Sequence, residues 1–320
     1  MQGLFTRILA HLLRHQRKAA RHVLKRLESA SDPEALHDFR VALRRLRSLL
    51  RSYSEYKDHL PRRCRKRLRR LARETGQARD REVQLAWLQQ SEREAELGCL
   101  GKDLRRMLAK TAADEKARIR HRLPKAWQKL SPCLERLERW LESEEGAPAF
   151  GAVHAGHLHD ALSELNRALA EIKPGVPDDL IHQARIAGKR LRYLVLPLRG
   201  ELPEADRVES ELASLQELMG EFNDARVWLQ DLPELLQEPL RKLLAEPAVR
   251  ICGELQHSSG HLLDEDYLAP LAALFRLLCS RRQKALEAIH AWLNSGEPAV
   301  LGNRVEELIL QLEPSMARAQ

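Results

Sequence analysis

The chain contains one eleven-residue pattern twice, H-x-x-R-x-x-x-[RK]-R-L-R, at 37–47 and again at 182–192. A second pair of landmarks, Gly76-x-x-x-Asp80 and Gly220-x-x-x-Asp224, is separated by 144 residues, and the two motifs by 145. Because two features rarely share nearly the same offset by chance, the pattern predicts an internal duplication. We place the first repeat at 1–145 and the second at 146–295. A short C-terminal helix and tail follow at 296–320.

The spacing of apolar residues predicts helices along nearly the whole chain. Leu, Ala, Glu and Arg dominate the composition, and apolar residues recur three and four positions apart. The hydrophobic share of 43% is too high for a disordered chain. The longest uncharged apolar stretches, such as 267–275, are too short to span a bilayer. We expect an all-α fold, with helices ending near Gly76 and Gly220 and a break at Pro124.

Each copy of the repeated pattern gives its helix one cationic face. At about 100° per residue, the basic residues of the first copy fall within an arc of roughly 80°, opposite a face of leucines. This arc holds His37, Arg40, Arg44, Arg47 and Arg51, and its counterpart holds His182, Arg185, Lys189, Arg192 and Tyr193. Like charges one turn apart cost helix stability, and no acid enters either arc. The pattern favours two anion-binding faces, and a solvated surface helix is the plainer alternative.

Basic residues on neighbouring predicted helices extend this positive surface. Residues 1–80 carry a net charge of +14, whereas residues 81–320 carry −6. The cations that we add to the candidate site are Arg14, Lys18, Arg21, Arg69, Arg73 and Arg122. A block this basic favours a polyanionic partner. The Arg-rich start also resembles a transit peptide, but a first helix with a basic face is the simpler interpretation.

Signals for metals, disulfides and catalysis are weak. The five cysteines are scattered and form no C-x-x-C pair, which supports neither a zinc ribbon nor a disulfide framework and fits a reducing cytoplasm. His154, His157 and His159 lack a carboxylate or cysteine at ligand spacing. Asp80 and Asp224 follow glycines and are interpreted as helix caps or salt-bridge partners. We expect no metal, no cofactor and no catalytic group.

The paired motifs resemble those of the CHAD domain, the conserved-histidine α-helical domain. The matching segments are H-D-x-R-x-x-x-R-R-L-R at 37–47, T-G-Q-A-R-D at 75–80, I-H-Q-A-R-I-A-G-K-R-L-R-Y at 181–193 and L-M-G-E-F-N-D at 218–224. The resemblance implies two antiparallel four-helix bundles related by pseudo-twofold symmetry. It also implies that inorganic polyphosphate binds in a basic groove or channel between them, at polyphosphate granules. The residues implied by motif position are His37, Arg40, Arg44, Arg47, His182, Arg185, Lys189, Arg192 and Tyr193.

We therefore expect a non-catalytic polyphosphate-binding protein of the cytoplasm, associated with granules and with no membrane partner. Other polyanions and granule proteins are further candidate partners. Gly76, Asp80, Gly220 and Asp224 are expected to support the site. Many relatives carry a triphosphate-tunnel domain with alternating Glu and Lys on strands, and such strands are not predicted here. Two alternatives stay open: an enzyme that acts on polyphosphate or another phosphoanhydride through His37 or His182, and a nucleic-acid binder with Tyr193 as its one stacking candidate.

Overall fold

The computed structural model describes residues 5–28, 32, 34–53, 59–95, 97–143, 150–253 and 265–313. All the regular elements assigned within these ranges are helical, which confirms the all-α prediction. The helices are α1 (Phe5–Glu28), α2 (Ala35–Ser52), α3 (Arg62–Ala95), α4 (Gly98–Ser143), α5 (Phe150–Ala170), α6 (Asp178–Val195), α7 (Pro203–Gly253), α8 (Glu265–Asn294) and α9 (Glu297–Leu312). A 3₁₀ turn at Leu196–Leu198 follows α6. The two-bundle arrangement stays a prediction.

Three helices are longer than their local sequence predicts. The expected helix ends at Gly76 and Gly220 and the expected break at Pro124 are wrong, because α3, α7 and α4 continue through these residues. A glycine inside a helix costs only about 1 kcal/mol relative to alanine. A proline costs about 3 kcal/mol, and on either side of Pro124 the leucines Leu123 and Leu130 are fully buried. Burial along the whole helix outweighs the local breaker.

The chain divides into two spatial units that do not follow the predicted repeats. Unit one comprises residues 1–76, 118–220 and 288–320, and unit two comprises 77–117 and 221–287. Each unit takes segments from both predicted repeats, and α3, α4, α7 and α8 contribute residues to both units. The predicted linker at 143–151 lies almost wholly outside the described residues. The boundary at 145/146 therefore stays a prediction.

In unit one, helices from both repeats pack on one another. The helix α1 packs on α2, α5 packs on α6, and α2 and α6, which carry the two motifs, contact each other directly. The ring of Phe5 lies 5.1 Å from that of Tyr53 and 5.8 Å from that of Phe150, centroid to centroid. These three rings bury apolar surface between α1, the end of α2 and α5. The packing buries most of the leucine face of each motif helix and leaves its cationic side chains half-buried or exposed.

Unit two has a core of its own. Leu88 of α3, Leu104 of α4, Trp228 of α7 and Leu274 of α8 belong to one buried cluster. The side chain of Asp231 accepts hydrogen bonds from Arg81 and Gln84, each at 2.9 Å.

Cys64 of α3 and Cys133 of α4 form a disulfide in unit one, with their Cα atoms 6.4 Å apart. This corrects the expectation that the cysteines do not pair. The two residues are 69 positions apart, so helix packing brings them together and no local spacing could indicate it. Among the described helices, none is both long enough and apolar enough to cross a bilayer.

Candidate functional site

The two copies of the motif meet at Tyr193. The guanidinium carbon of Arg44, on α2, lies 5.6 Å from the centroid of the Tyr193 ring, on α6, within the range of a cation–π contact. Burial raises the pKa of the Tyr193 phenol, and the charges of Arg44, Arg192, Arg45 and Arg185 oppose that rise. The phenol therefore keeps its proton at neutral pH and is a hydrogen-bond donor. Four guanidinium groups, two from each motif helix, act on one ring.

Two of these arginines hold buried donors. The Nε atoms of Arg44 and Arg45 are buried and have no hydrogen-bond partner within the part of the chain that the structure describes. A buried polar group without a partner costs roughly 1–3 kcal/mol, and more when it is charged. An anion bound where α2 meets α6 would satisfy these donors.

Gly188 lets α6 approach α7 closely. A Cβ atom at this position would lie 2.6 Å from Nε2 of Gln216. That Nε2 atom donates a hydrogen bond to the backbone oxygen of Arg185 at 3.2 Å. The glycine in the second copy of the motif thus allows the close packing of α6 against Gln216, on the same helix that carries the half-buried Arg185 and Lys189.

The helix α3 adds charge beside α2. A Cβ atom at Gly76 would lie 3.8 Å from a terminal nitrogen of Arg40, which is an ordinary contact distance, so the guanidinium of Arg40 lies next to α3. Arg47 reaches solvent, but protein atoms crowd its guanidinium, and this burial together with the charges of Arg51 and Arg69 lowers its pKa. Arg47, Arg51 and Arg69 therefore form a positive region across α2 and α3.

Acidic side chains from other helices neutralise part of the predicted set. Arg192 donates to Oε1 of Glu209 through Nε at 2.9 Å and through Nη2 at 2.7 Å. Arg14 pairs with Glu142, and its Nε lies 3.7 Å from Glu138. A helical wheel shows only the residues of one helix, so each arc is free of acids on its own helix but not in the folded protein. Arg14 and Arg192 thus have less charge to offer a ligand than the sequence suggested.

The other predicted residues lie as follows. Lys18, Arg21, Arg73 and Arg122 are exposed on α1, α3 and α4, and His37, His182 and Lys189 are partly buried on the motif helices.

Two of the predicted supporting residues do not cap helices. Asp80 and Asp224 are exposed and lie inside α3 and α7, in unit two, so the interpretation of these residues as helix caps is wrong. A Cβ atom at Gly220 would meet no atom within 4 Å among the described residues.

His154 is a buried link that sequence reasoning missed. The hydroxyl of Tyr53 donates to its Nδ1 atom at 2.5 Å, and its Nε2 atom donates to the carbonyl oxygen of Leu194 at 2.9 Å. Burial lowers its pKa to about 3; the hydrogen bond to Leu194 opposes this, and nearby His157 adds to it. The neutral ring joins the end of α2 to the end of α6, next to Tyr193. Within the described ranges, no group of three or more potential ligands is placed to hold a metal ion.

Comparisons with known proteins agree on the family and the fold. The family model described as the CHAD domain matches residues 7–233, which confirms the resemblance. The crystal structure of the CHAD domain from the plant Ricinus communis is 22% identical, covers 91% of this chain and 92% of that chain, and has a TM-score of 0.71. PptA from Streptomyces chartreusis is 15% identical, covers 95% and 100%, and has a TM-score of 0.58. No curated protein sequence matches this chain.

Proposed function

We propose that this chain, which belongs to the CHAD domain family, binds inorganic polyphosphate where α2 and α6 meet in unit one. The observation that carries the proposal is the group of arginines around Tyr193, drawn from both copies of the motif. Two of them hold buried Nε donors without a partner among the described residues. A polyphosphate chain offers phosphate oxygens at short, regular intervals, which matches donors distributed along two helices.

Arginine suits this ligand for a geometric reason. Its planar guanidinium presents a fork of donors that meets two phosphate oxygens at once, and charge-assisted hydrogen bonds are about twice as strong as neutral ones. Arg47, Arg51 and Arg69 continue the positive surface across α3. Each phosphate that a cation neutralises also releases a counterion, which adds to affinity at low salt.

The proposed function is binding without a reaction. The charged groups that act on the Tyr193 phenol are guanidinium groups, and burial keeps the phenol protonated, so this group of residues supports positioning rather than nucleophilic attack. The enzyme alternative uses His37 or His182 and has a direct test. Incubation of the protein with long-chain polyphosphate and Mg²⁺ or Mn²⁺ should release no orthophosphate, and steady release that is lost with His37→Gln or His182→Gln would establish the alternative.

The proposal is tested by competition among polyanions. Affinities for long-chain polyphosphate, heparin and single-stranded DNA are measured at matched charge and salt. The double variant Arg44→Gln with Arg45→Gln should weaken polyphosphate binding by about tenfold or more, since each lost charge-assisted hydrogen bond contributes roughly 1.5–3 kcal/mol. Equal affinity for all three polyanions would reduce the protein to a general polyanion binder.

A matched control removes two charges elsewhere. Arg70 and Arg106 are exposed and pair with Glu74 and Asp103 on their own helices. Arg70→Gln with Arg106→Gln lowers the net charge by the same amount and should change the affinity by less than about threefold, because exposed pairs contribute little. Equal losses in the two double variants would mean that net charge alone determines binding.

Association with polyphosphate granules is proposed as a consequence of the same affinity. A granule presents many phosphate chains at once, so one site per protein suffices for retention at its surface. A fluorescent fusion should colocalise with granules in cells, and the fusion that carries Arg44→Gln and Arg45→Gln should spread through the cell. Retention of that variant would show that a different surface makes the attachment.

A further inference from the structure

A cavity of about 550 Å³ opens in unit one beside the contact of α2 with α6. One part of its wall is apolar and is formed by Leu12 of α1, Leu49 of α2, and Leu196 and Pro197 after α6. Arg45 and Tyr193, which belong to the proposed polyphosphate site, also line it. The volume lies within the roughly 300–1,000 Å³ that is typical of small-molecule sites.

The charged groups of the wall differ in how far they are already satisfied. Arg199 donates to Asp206 at 3.1 Å and lies 3.4 Å from Glu209, and Asp206 also accepts the backbone N–H of Gly200 at 3.3 Å. Arg199 and Asp206 therefore neutralise each other and add little net charge to the cavity. Arg45 contrasts with it, because its buried Nε has no hydrogen-bond partner among the described residues. His11 and His15 add polar ring nitrogens from α1.

We infer that this cavity binds an organic phosphate, with its aromatic body against the leucine and proline wall and its phosphates on Arg45 beside Tyr193. A nucleoside triphosphate has this chemistry. Inorganic polyphosphate has no apolar surface, so contact with the leucine wall does not stabilise it. An aromatic base is stabilised there, because its apolar surface is removed from water. The inference rests on the proposed function only for the shared cations. Because both ligands use Arg45, they compete.

The test compares two probes with the same number of phosphates, ATP and inorganic tripolyphosphate, by calorimetry without divalent metal. Tripolyphosphate carries at least as much charge, so a purely electrostatic site would prefer it. The parent protein should bind ATP at least about tenfold more tightly, because burying one base against apolar side chains removes apolar surface from water. ATP should also displace labelled long-chain polyphosphate. Equal affinities, or a preference for tripolyphosphate, would overturn the inference without any variant.

A filling substitution then locates the site. Leu12 is half-buried and lines the cavity, so Leu12→Trp should lower ATP affinity by about tenfold and leave tripolyphosphate within about twofold. Leu310 of α9 is 67% exposed, and Leu310→Trp is the matched control, which should change neither affinity. An ATP affinity that Leu12→Trp leaves unchanged would place ATP outside the cavity, and equal weakening of both probes would mean that the base does not contact the apolar wall. Thermal unfolding verifies that each variant is folded.

The outcomes separate this inference from the proposed function. Tight binding of long-chain polyphosphate without a preference for ATP would overturn the cavity assignment and leave the proposed function standing. A preference for ATP without polyphosphate binding would overturn the proposed function and leave the cavity assignment standing. Failure to bind any of the three probes would overturn both.

Discussion

Lowering the pH should destabilise unit one through His154. Its ring accepts a hydrogen bond from Tyr53 and donates one to Leu194, and burial lowers its pKa to about 3. In the unfolded chain a histidine takes up its proton near pH 6.5, as model peptides do. The folded pKa is the lower one, so the unfolded state binds protons more readily. The contribution of the neutral ring is complete above about pH 6.5 and is lost as the pH falls towards 3.

The size of the effect follows from the two pKa values. At pH 5 the unfolded histidine is almost fully protonated and the folded one is almost fully neutral. Over the roughly 1.5 pH units between the unfolded pKa of about 6.5 and pH 5, this difference in protonation lowers the free energy of unfolding by about 2 kcal/mol. At a pH below both pKa values, the total loss of unfolding free energy through His154 is about 5 kcal/mol.

The assay compares the parent protein with His154→Gln, whose side-chain amide can still donate and accept hydrogen bonds but takes up no proton in this pH range. Free energies of unfolding are measured in urea at pH 8, 7, 6 and 5. Carboxylates titrate in both proteins, so the difference between the two pH profiles isolates His154. Between pH 8 and pH 5 the parent should lose about 2 kcal/mol more than the variant. Parallel profiles, or a folded-state NMR titration of His154 near pH 6.5, would refute the reasoning.

Three further predictions concern ion pairs, the disulfide and salt. Arg17→Met removes both hydrogen bonds that buried Glu138 accepts from Arg17 and leaves it, among the described residues, only Arg14, 3.7 Å away. It should cost about 3 kcal/mol in urea unfolding, most of it recovered when Glu138→Leu is added; no recovery would mean that Arg17 acts through packing alone. Cys64→Ala with Cys133→Ala opens a 69-residue loop and should lower the unfolding free energy by about 4 kcal/mol, while unchanged stability in oxidised samples would argue against the bond. If ~6–10 cations contact phosphate, polyphosphate affinity should fall by about 10³–10⁵ between 50 and 200 mM salt, and a flat response would indicate a small, dry site.

The sequence predicted the parts of the fold that depend on residues close together in the chain. Apolar spacing predicted the all-α class, and the repeated motif identified α2 and α6 as the two cationic helices. The contact between Arg44 and Tyr193 brings these helices together, as expected if both motifs serve one site. Apart from that contact between helices, these features depend on patterns within a single helix.

The features that the sequence did not predict depend on contacts between helices. The helix α3 continues through Gly76 because burial along its length outweighs a local cost. Glu209 neutralises Arg192 from a different helix, and no helical wheel of α6 could show it. The sequence does not distinguish His154 from His157 and His159, because its hydrogen-bond partners, Tyr53 and Leu194, lie at the ends of other helices.

The most direct measurement of the central claim is a crystal structure of the protein with long-chain polyphosphate bound. The account predicts phosphates within hydrogen-bond distance of Arg44 and Arg45 on α2 and of Arg185 on α6, next to the hydroxyl of Tyr193. Density that continues from there towards Arg47 and Arg69 would match the positive region across α2 and α3. Phosphates bound only along the exposed faces of α1 or α4, with the contact between α2 and α6 unoccupied, would contradict it.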